Sequence, residues 1–291
     1  MDSPYTQAVV ILIAEPADPG MIEKLLAPLC PESSSPGSRG GGWINGYPSW
    51  RVPINGHATG RAEILVATEG YPRNLGESTC DEMTQACFAA GCMGPFALPS
   101  HAVNLTALPA HKGVIVVRTS YAFGKNPAEA TGSANPLLDL AFATSVAARL
   151  LGALPGAYYF SPASGVVLKG AEFAGIATKF KGLDTPPMPL WIRCRALTPA
   201  PQSALQTVDT VGMAQLGQQD VEASFVRGSM GIDASKVAIM LMGIAAETVR
   251  VRSAVMAARN GPGGLWTPDA PHVAIGAPTR SVIRWSRVLP M

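Results

Sequence analysis

Glycine and proline interrupt this chain of 291 residues at short intervals, and their spacing limits the length of any helix or strand. The sequence contains 30 glycines and 26 prolines, residue types that end helices and weaken strands. No run reaches the roughly 18 uninterrupted apolar residues of a membrane-crossing helix. We therefore expect no membrane span, and a globular fold of short elements joined by irregular turns.

The composition fits a folded protein with few surface charges. Hydrophobic residues make up 47% of the chain and charged residues 14%, against about 25% charged residues in a typical soluble domain. With 22 basic and 20 acidic side chains the net charge is only +2. This balance argues against a nucleic-acid-binding protein and against a polyanionic tail.

The N-terminal residues and the cysteines indicate a cytoplasmic protein. Residues 1–5 carry no basic residue, and the apolar run at residues 8–14 is followed directly by Glu15 and Pro16, unlike a signal peptide with its cleavage site. The five cysteines are scattered and odd in number. Reduced thiols fit this pattern better than a disulfide framework.

Hydrophobic patterns and capping residues predict a mixture of helices and strands without strict alternation. One helix is expected from Asp18-Pro19 to Pro28, and another begins at the capping box of Thr79 and Glu82. Further helices are expected at 100–108, at 137–151 with its end at Gly152, at 213–226 and at 234–248. Strands are expected at 9–13, 64–67, 114–117, 157–160, 166–168, 190–197, 207–211, 249–255 and 282–289. The predicted class is α+β, with mixed or antiparallel sheets packed with helices.

A proline-rich stretch at residues 184–189 marks the expected boundary between two subdomains of similar size. The predicted N-terminal α/β subdomain covers residues 1–185, and the predicted C-terminal α/β subdomain covers residues 186–291. The alternative is that both form one continuous globular unit.

Motifs for common catalytic sites are missing from the sequence. No phosphate-binding glycine loop or GxSxG motif is present, and the four histidines, His57, His101, His111 and His272, have no zinc-site spacing. Cys80, Cys87 and Cys92 fit small core residues better than a metal or redox site. We therefore expect no catalytic residue, no cofactor and no metal.

Aromatic residues in two glycine-rich loops are candidate contacts for a partner protein. Trp43, Tyr47 and Trp50 lie in or beside the first loop, and Trp266 lies in the second, at residues 260–266. Such side chains either fold back onto the protein body or remain exposed as anchors, and Trp, Tyr and Arg dominate interface hot spots. The sequence leaves both interpretations open.

Arginines on expected strands concentrate positive charge in the C-terminal part, where residues 186–291 carry 10 basic and 6 acidic side chains. Alternating residues share one face of a strand, so Arg193 belongs with Arg195 and Arg250 with Arg252, while Arg284 and Arg287 lie on the last strand. The pattern indicates either a solvated sheet face or a basic patch that docks an acidic partner.

Several segments together resemble a bacterial family built around a domain of unknown function and found near type VI secretion genes. Residues 209–216, followed by Asp220, Glu222 and Ala223, form the most specific segment. The others are residues 93–96, 118–124, 154–160, 260–263 and 282–285. The resemblance implies a cytoplasmic accessory protein, an immunity protein that binds and blocks a cognate toxin.

The residues of the most specific segment also have a structural interpretation. Asp209 is expected to bond backbone at a strand end, and Gly212 to allow a turn into a helix. Asp220 and Glu222 would lie on that helix, two residues apart and facing different ways, as exposed contacts or local caps.

The leading hypothesis is an immunity protein that obstructs the active site of a type VI toxin, for which a nuclease is a natural candidate. Local acidic residues that could meet such a toxin are Asp81, Glu82, Asp220 and Glu222. One alternative is a secretion adaptor or chaperone that loads an effector. Another is an enzyme with an unrecognised site, for which a polar pocket around His111 or Cys87 would be the sign.

Overall fold

The structure is a computed structural model that describes residues 6–29, 32–33, 47–54, 60–70, 108–120, 135–183, 185–197, 203–229, 231–275 and 280–288. The chain divides into two compact units, Met1–Lys181 and Gly182–Met291. Each unit combines helices with one sheet whose strands are mostly antiparallel. The predicted α+β class is confirmed.

The first unit contains a seven-stranded antiparallel sheet with the strand order β2-β3-β4-β5-β1-β6-β7. Its strands are β1 (Thr6–Ile13), β2 (Glu32–Ser33), β3 (Ser49–Pro53), β4 (Arg61–Ala67), β5 (Gly113–Ser120), β6 (Tyr158–Ser161) and β7 (Val166–Lys169). Strand β1 lies inside the sheet and is buried on both faces from Ala8 to Ile13. Burial on both faces explains its continuous apolar run.

Three helices belong to the first unit: α1 (Pro19–Leu26), α2 (Pro136–Ala153) and α3 (Gly170–Phe180). The Asp18 carboxylate caps α1 by accepting the N–H groups of Gly20 and Met21, as its sequence pattern predicts. Helix α2 packs against β1 and β5. Helix α3 places Phe173 with its ring centroid 4.8 Å from that of Tyr159.

Helix α2 is long and apolar enough, by length and composition, to cross a membrane, with 44% of its apolar window buried inside the protein. Its contacts with β1 and β5 place one side of it against the sheet of the first unit. Asn135 caps it through the Leu138 N–H. The helix continues through Gly152, so the predicted end at that residue is wrong. The left-handed turn that follows uses Gly156, at φ 77°, instead.

The second unit contains a six-stranded sheet with the order β11-β12-β13-β10-β9-β8, antiparallel except for the parallel pair β10–β13. Its strands are β8 (Arg193–Leu197), β9 (Leu205–Val211), β10 (Asp220–Val226), β11 (Arg259–Gly261), β12 (Gly264–Val273) and β13 (Ser281–Arg287). Its helices are α4 (Met188–Trp191) and α5 (Ala234–Val251).

The core of the second unit lies between one face of this sheet and α5. Helix α5 contacts β8, β9 and β10, and its N-cap Asp233 accepts the Lys236 N–H. The main buried members of this core are Val208, Val221, Ala223, Phe225, Leu241, Ile244, Trp266, Ile283 and Trp285.

Two predicted elements of the second unit are wrong in type. The expected helix at 213–226 is a 3-10 turn, Met213–Leu216, followed by strand β10, and the expected strand at 249–255 begins inside α5, which ends at Val251. The strand expected at 190–197 is present as β8, but it begins only at Arg193, because Leu190 and Trp191 belong to α4. From Asp220 to Phe225 in β10, polar and apolar residues alternate, which is the period of a half-buried strand. Tertiary pairing with β9 and β13 determines its conformation.

Candidate functional site

The sheet face opposite α5 in the second unit carries polar and charged side chains, and we call it the polar face. Side chains alternate between the two faces of a strand. Because Val221, Ala223 and Phe225 of β10 enter the core, Asp220, Glu222 and the residues in register with them lie on the polar face. The strand pairing aligns these residues in rows across neighbouring strands.

The charged row runs across four strands and consists of Arg195, Asp209, Glu222 and Arg284. Arg195 is in register with Asp209, Asp209 with Glu222, and Glu222 with Arg284. Two carboxylates that face each other directly on neighbouring strands repel. Here an arginine on each outer side of the pair compensates that repulsion.

Asp209 is fully buried and forms ion pairs with two arginines. Its Oδ1 accepts the Arg195 Nε–H at 3.0 Å, and its Oδ2 accepts Arg195 Nη2 at 2.5 Å and Arg280 Nη2 at 2.7 Å. The paired Arg195 fork is the geometry of a strong bidentate carboxylate contact. Arg280, which lies just before β13, also donates to the Thr210 carbonyl oxygen at 2.9 Å.

Asp220 extends the same network at the start of β10. Its Oδ2 accepts the Arg280 Nε–H at 2.9 Å, so Arg280 bridges the carboxylates of Asp220 and Asp209. Its Oδ1 accepts the Thr210 hydroxyl at 3.0 Å and the Met213 N–H at 3.2 Å. Burial raises the pKa of the Asp220 carboxyl, and the neighbouring Arg280 opposes that rise.

Glu222 connects the charged row with the end of β12. Its Oε1 accepts Arg284 Nε and Nη2 at 3.0 and 2.7 Å and lies 3.0 Å from His272 Nε2, while its Oε2 accepts the Ile275 N–H at 3.2 Å. Burial alone would raise the pKa of this carboxyl. The hydrogen bonds from His272, Arg284 and Ile275 outweigh burial and lower the pKa below its usual value.

Every oxygen of these three buried carboxylates has a hydrogen-bond partner within the chain. A general base needs an oxygen within reach of a substrate proton, and a cation site needs oxygens that can turn toward the ion. The network offers neither, because three arginines neutralise the three acids. Its chemistry is that of a rigid structural network.

Two further rows follow the charged row along the polar face. The hydroxyl row consists of Thr207, Ser224, Ser286 and Thr267: Thr207 pairs with Ser224, Thr267 pairs with Ser286, and the β10–β13 register continued by one residue joins the two pairs. The Thr207 and Ser224 hydroxyl oxygens lie 2.8 Å apart.

The apolar row lies at the end of the face and consists of Leu205, Val226, Val288 and Leu265. Leu205 is in register with Val226, and the Val288 N–H donates to the Leu265 carbonyl oxygen at 2.8 Å. Continuing the β10–β13 register by three residues places Val226 beside Val288. These side chains are exposed, by 40% for Leu205, 54% for Val226, 44% for Val288 and 41% for Leu265.

The acidic residues predicted as exposed contacts occupy the network instead. Asp220 and Glu222 are 3% and 0% exposed, so the prediction of exposed contacts is wrong for both. Because they lie on a strand and not on a helix, residues two apart share one face. The related expectation that Asp209 bonds backbone at a strand end is also corrected, since its partners are arginine side chains.

Two of the four predicted aromatic anchors are buried. Trp266 is 0% exposed and donates its Nε1–H to the Pro262 carbonyl oxygen at 3.0 Å, and Trp50 on β3 is 8% exposed. The alternative that these aromatic side chains fold back onto the protein body therefore holds for both. Tyr47 is half-buried, and burial together with a hydrogen bond to Glu69 raises the pKa of its hydroxyl. Trp43, Asp81 and Glu82 lie outside the described residues.

The predicted arginine pairs differ in their environment. Arg195 and Arg284 are engaged by buried acids, so this part of the polar face is not a freely solvated sheet face. Arg193 is exposed on the same side of β8. Arg250 lies in the last turn of α5 and Arg252 caps it, so the expectation that both lie on a strand is wrong.

Among the residues that the structure describes, no group of three or more His, Cys, Asp or Glu side chains is placed to hold a metal ion. Cys194 packs against the core of the second unit, and burial, reinforced by Asp209 and Asp220, raises its thiol pKa to about 12. A thiol with so high a pKa is a poor nucleophile at neutral pH. His111 has its Nδ1 2.6 Å from the Pro109 carbonyl oxygen, and Cys80, Cys87 and Cys92 lie outside the described part of the chain.

Sequence reasoning did not identify Arg280 or His272 as partners of the acidic residues. The useful signal was the alternation of polar residues 220, 222 and 224 with apolar residues 221, 223 and 225, which predicts a strand with its polar side chains on one face. Arg280 is 71 residues from Asp209 in sequence, so only the strand order brings them together.

Comparison of the chain with protein-family models, curated proteins and solved structures finds no match.

Proposed function

We propose that this chain is a cytoplasmic immunity protein that binds a cognate toxin of a type VI secretion system and blocks its active site. The observation that carries the proposal is the ion-pair network of the polar face, in which every carboxylate oxygen has a partner. The resemblance of residues 209–216, Asp220 and Glu222 to the secretion-associated family supplies the biological context.

The network supports binding better than catalysis because it fixes a surface without leaving a reactive group. Asp209, Asp220 and Glu222 are buried and fully hydrogen-bonded. Their arginine partners come from β8, from β13 and from the residue just before β13. A surface held in this way loses little conformational freedom when a partner binds, and preorganisation of this kind increases affinity.

Mimicry of a nucleic-acid backbone by Asp220 and Glu222 is not part of the proposal. Both carboxylates are neutralised inside the protein and do not face solvent. Inhibition of a nuclease toxin would therefore depend on shape, with an apolar contact excluding the substrate. Contact of Asp81 and Glu82 with the toxin stays a prediction. The proposal requires no cofactor and no nucleic acid.

The direct experiment co-expresses this chain with the toxin-like product of the adjacent gene and measures cell survival. Cells that receive the toxin with an empty vector should die, and cells that also receive this chain should survive. A toxin variant without catalytic activity provides the matched control for expression. Purification of the inactive toxin with this chain should then give a stable one-to-one complex.

Two results would contradict the proposal. Cell death despite soluble expression of both proteins would exclude immunity against that toxin. Survival without a physical complex would exclude blocking by direct binding. A weak, exchangeable complex without rescue, together with loss of effector secretion on deletion of the gene, would favour the secretion adaptor.

A further inference from the structure

We propose that the end of α5 and the loop after it, residues 250–258, dock an acidic surface of a partner protein, and we call them the basic segment. This inference rests on the proposed function, in which that partner is the toxin. It is carried by two exposed arginines, Arg250 and Arg252, and two exposed apolar side chains, Val251 and Met256, on one short stretch of chain.

The basic segment is exposed along almost its whole length. Eight of its nine residues are exposed, and the exception, Val255, belongs to the core of the second unit. Val251 is 43% exposed and Met256 is 53% exposed. Single exposed hydrophobic residues are ordinary on protein surfaces, but these two lie beside two arginines. Arginine and methionine are both enriched at protein–protein interfaces.

The positive charge of the basic segment is not compensated locally. The sequence contains no acidic residue between Glu247 and Asp269, and Glu247 is paired with Arg259. Among the described residues, no carboxylate forms an ion pair with Arg250 or Arg252. Both guanidinium groups are therefore available to carboxylates of another molecule, which arginine binds in a bidentate manner.

Contacts at both ends and in the middle hold the basic segment in position. The ion pair of Glu247 on α5 with Arg259, the first residue of β11, joins the two elements that the segment connects. The Arg259 guanidinium also lies over the Trp285 ring, 5.7 Å from its centroid. Val255 packs into the core between these ends. A segment held in this way loses little conformational freedom on binding, which increases affinity.

Arg252 has a backbone conformation that is unfavourable for arginine. It caps α5 at a φ of 56° and is the only non-glycine residue with a positive φ in the described part of the chain. Glycine takes this position at helix ends without a steric penalty. A cation stabilises the C-terminus of a helix, but Arg250 already supplies one in the last turn. Strain of this kind often marks a functional residue, and it points to a contact of Arg252 outside the chain.

The composition of the basic segment favours a protein as the occupant. Nucleic-acid-binding proteins contact about 6–10 phosphates and stack bases on aromatic side chains, whereas this segment has two arginines and no aromatic residue. Binding to anionic lipids takes clusters of about 4–8 basic residues. A symmetric contact with a second copy would bring two basic segments together, which is repulsive. An acidic protein surface needs only a few carboxylates opposite the arginines.

The test replaces Arg252 and measures binding to an inactive variant of the toxin by isothermal titration calorimetry. Arg252→Glu should weaken the complex about a hundredfold, because repulsion from the acidic surface adds to the lost contact. Arg252→Gly should weaken it about tenfold without lowering the melting temperature, since glycine adopts a positive φ without strain. Arg193→Glu makes the same change of charge at an exposed arginine on β8, and this matched control should bind as the unaltered chain does.

The outcomes separate this inference from the proposed function. If the unaltered chain and both Arg252 variants bind equally well, the docking surface is wrong while the immunity proposal stands. If Arg252→Glu weakens the complex no more than Arg252→Gly, the acidic character of the partner is wrong. If Arg193→Glu weakens it as much as Arg252→Glu, net charge explains the effect and the basic segment is not the site. If the unaltered chain does not bind the toxin, the proposed function fails and this inference fails with it.

Two further measurements test the choice of occupant. Sedimentation of the unaltered chain, but not of Arg252→Glu, with vesicles that contain an anionic phospholipid would overturn it in favour of a membrane. A dimer of the unaltered chain that Arg252→Glu dissociates in sedimentation velocity would overturn it in favour of a second copy.

Discussion

At the scale of single residues, the carboxylate of Asp209 holds together parts of the second unit that are far apart in sequence. Arg195 on β8 and Arg280 before β13 both donate to it. A buried charge is costly unless it is paired and hydrogen-bonded. Removing one partner of a buried ion pair therefore lowers the stability of the fold by much more than the small net contribution of the intact pair.

Asp209→Asn should reduce the free energy of unfolding by about 3 kcal/mol, because the partly buried Arg195 and Arg280 would lose the charge that compensates them. Urea unfolding followed by circular dichroism measures the change. Asp233→Asn is the matched control: Asp233 is half-exposed at the N-cap of α5, and asparagine caps a helix as well as aspartate. Equal stability of the two variants would contradict a structural role for the network.

Glu222 should make the stability of the protein depend on pH in a defined direction. Its folded-state pKa lies below the ordinary value of 4.5, so the ionised carboxylate stabilises the fold at neutral pH, and this contribution is lost as the pH falls through the folded-state pKa. The unaltered chain should therefore be more stable than Glu222→Gln at pH 7, and the difference should shrink below about pH 4.5.

Comparing the two proteins isolates Glu222 from the other titrating groups. Asp220, whose pKa is raised by burial, contributes with the opposite sign, but it is present in both proteins and cancels in the difference. Unfolding free energies at several pH values between 3 and 7 give the curve. A difference that stays constant, or grows toward low pH, would show that the Glu222 contacts do not stabilise its ionised form.

At the scale of elements, the hairpin of β11 and β12 depends on its glycines. Gly261 pairs with Gly264, with Pro262 and Gly263 between them. Gly263 has a φ of 75°, and a Cβ on it would lie 2.6 Å from Cγ1 of Ile232. Proline followed by a glycine of positive φ is the pattern of a type II turn. The hairpin also positions Trp266 in the core and Leu265 in the apolar row.

Gly263→Ala should destabilise the protein for two reasons, backbone strain and steric overlap with Ile232. Gly228→Ala is the matched control, because Gly228 has a similar φ of 81° but has open space around its Cβ position. Strain alone costs about 1–2 kcal/mol, and overlap in a packed region adds about 1–3 kcal/mol. Thermal unfolding should rank Gly263→Ala as the less stable variant; the reverse order would contradict the close packing of this turn.

Elements with strong local signals could be predicted from the sequence. Helix α2 follows an Asn-Pro cap, helix α5 follows Asp233, and β1 is a continuous β-branched run, so capping and burial pattern agree in each. Strand β10 is part of a predicted helix at 213–226, although residues 220–225 alternate at the period of a strand. The strands β11 and β12 were missed because glycine and proline suggested only a loop.

The candidate site could be predicted only in part. Asp220 and Glu222 were singled out, and the shared face of Arg193 and Arg195 was expected. Their partners could not be predicted, since Arg280 and Arg284 lie about 60 residues or more from the acids they neutralise. Pairing over that distance depends on strand order and register, which local patterns do not determine.

At the scale of the whole molecule, the second unit combines its own hydrophobic core with a polar face whose side chains change in type along the strands. Helix α5 covers one face of the sheet. On the other, rows of charged, hydroxyl and apolar side chains follow one another along the strands. The proposed function assigns binding to this unit, with the rigidity of its surface derived from the ion pairs.

The measurement that tests the proposed binding role most directly is isothermal titration calorimetry of this chain with an inactive variant of the toxin that the proposal assigns to it. A preformed surface that blocks a toxin should give a one-to-one complex with a Kd on the order of a nanomolar or lower. A micromolar, readily exchanging complex would instead fit a secretion adaptor. The absence of binding between two folded proteins would contradict the proposed immunity function.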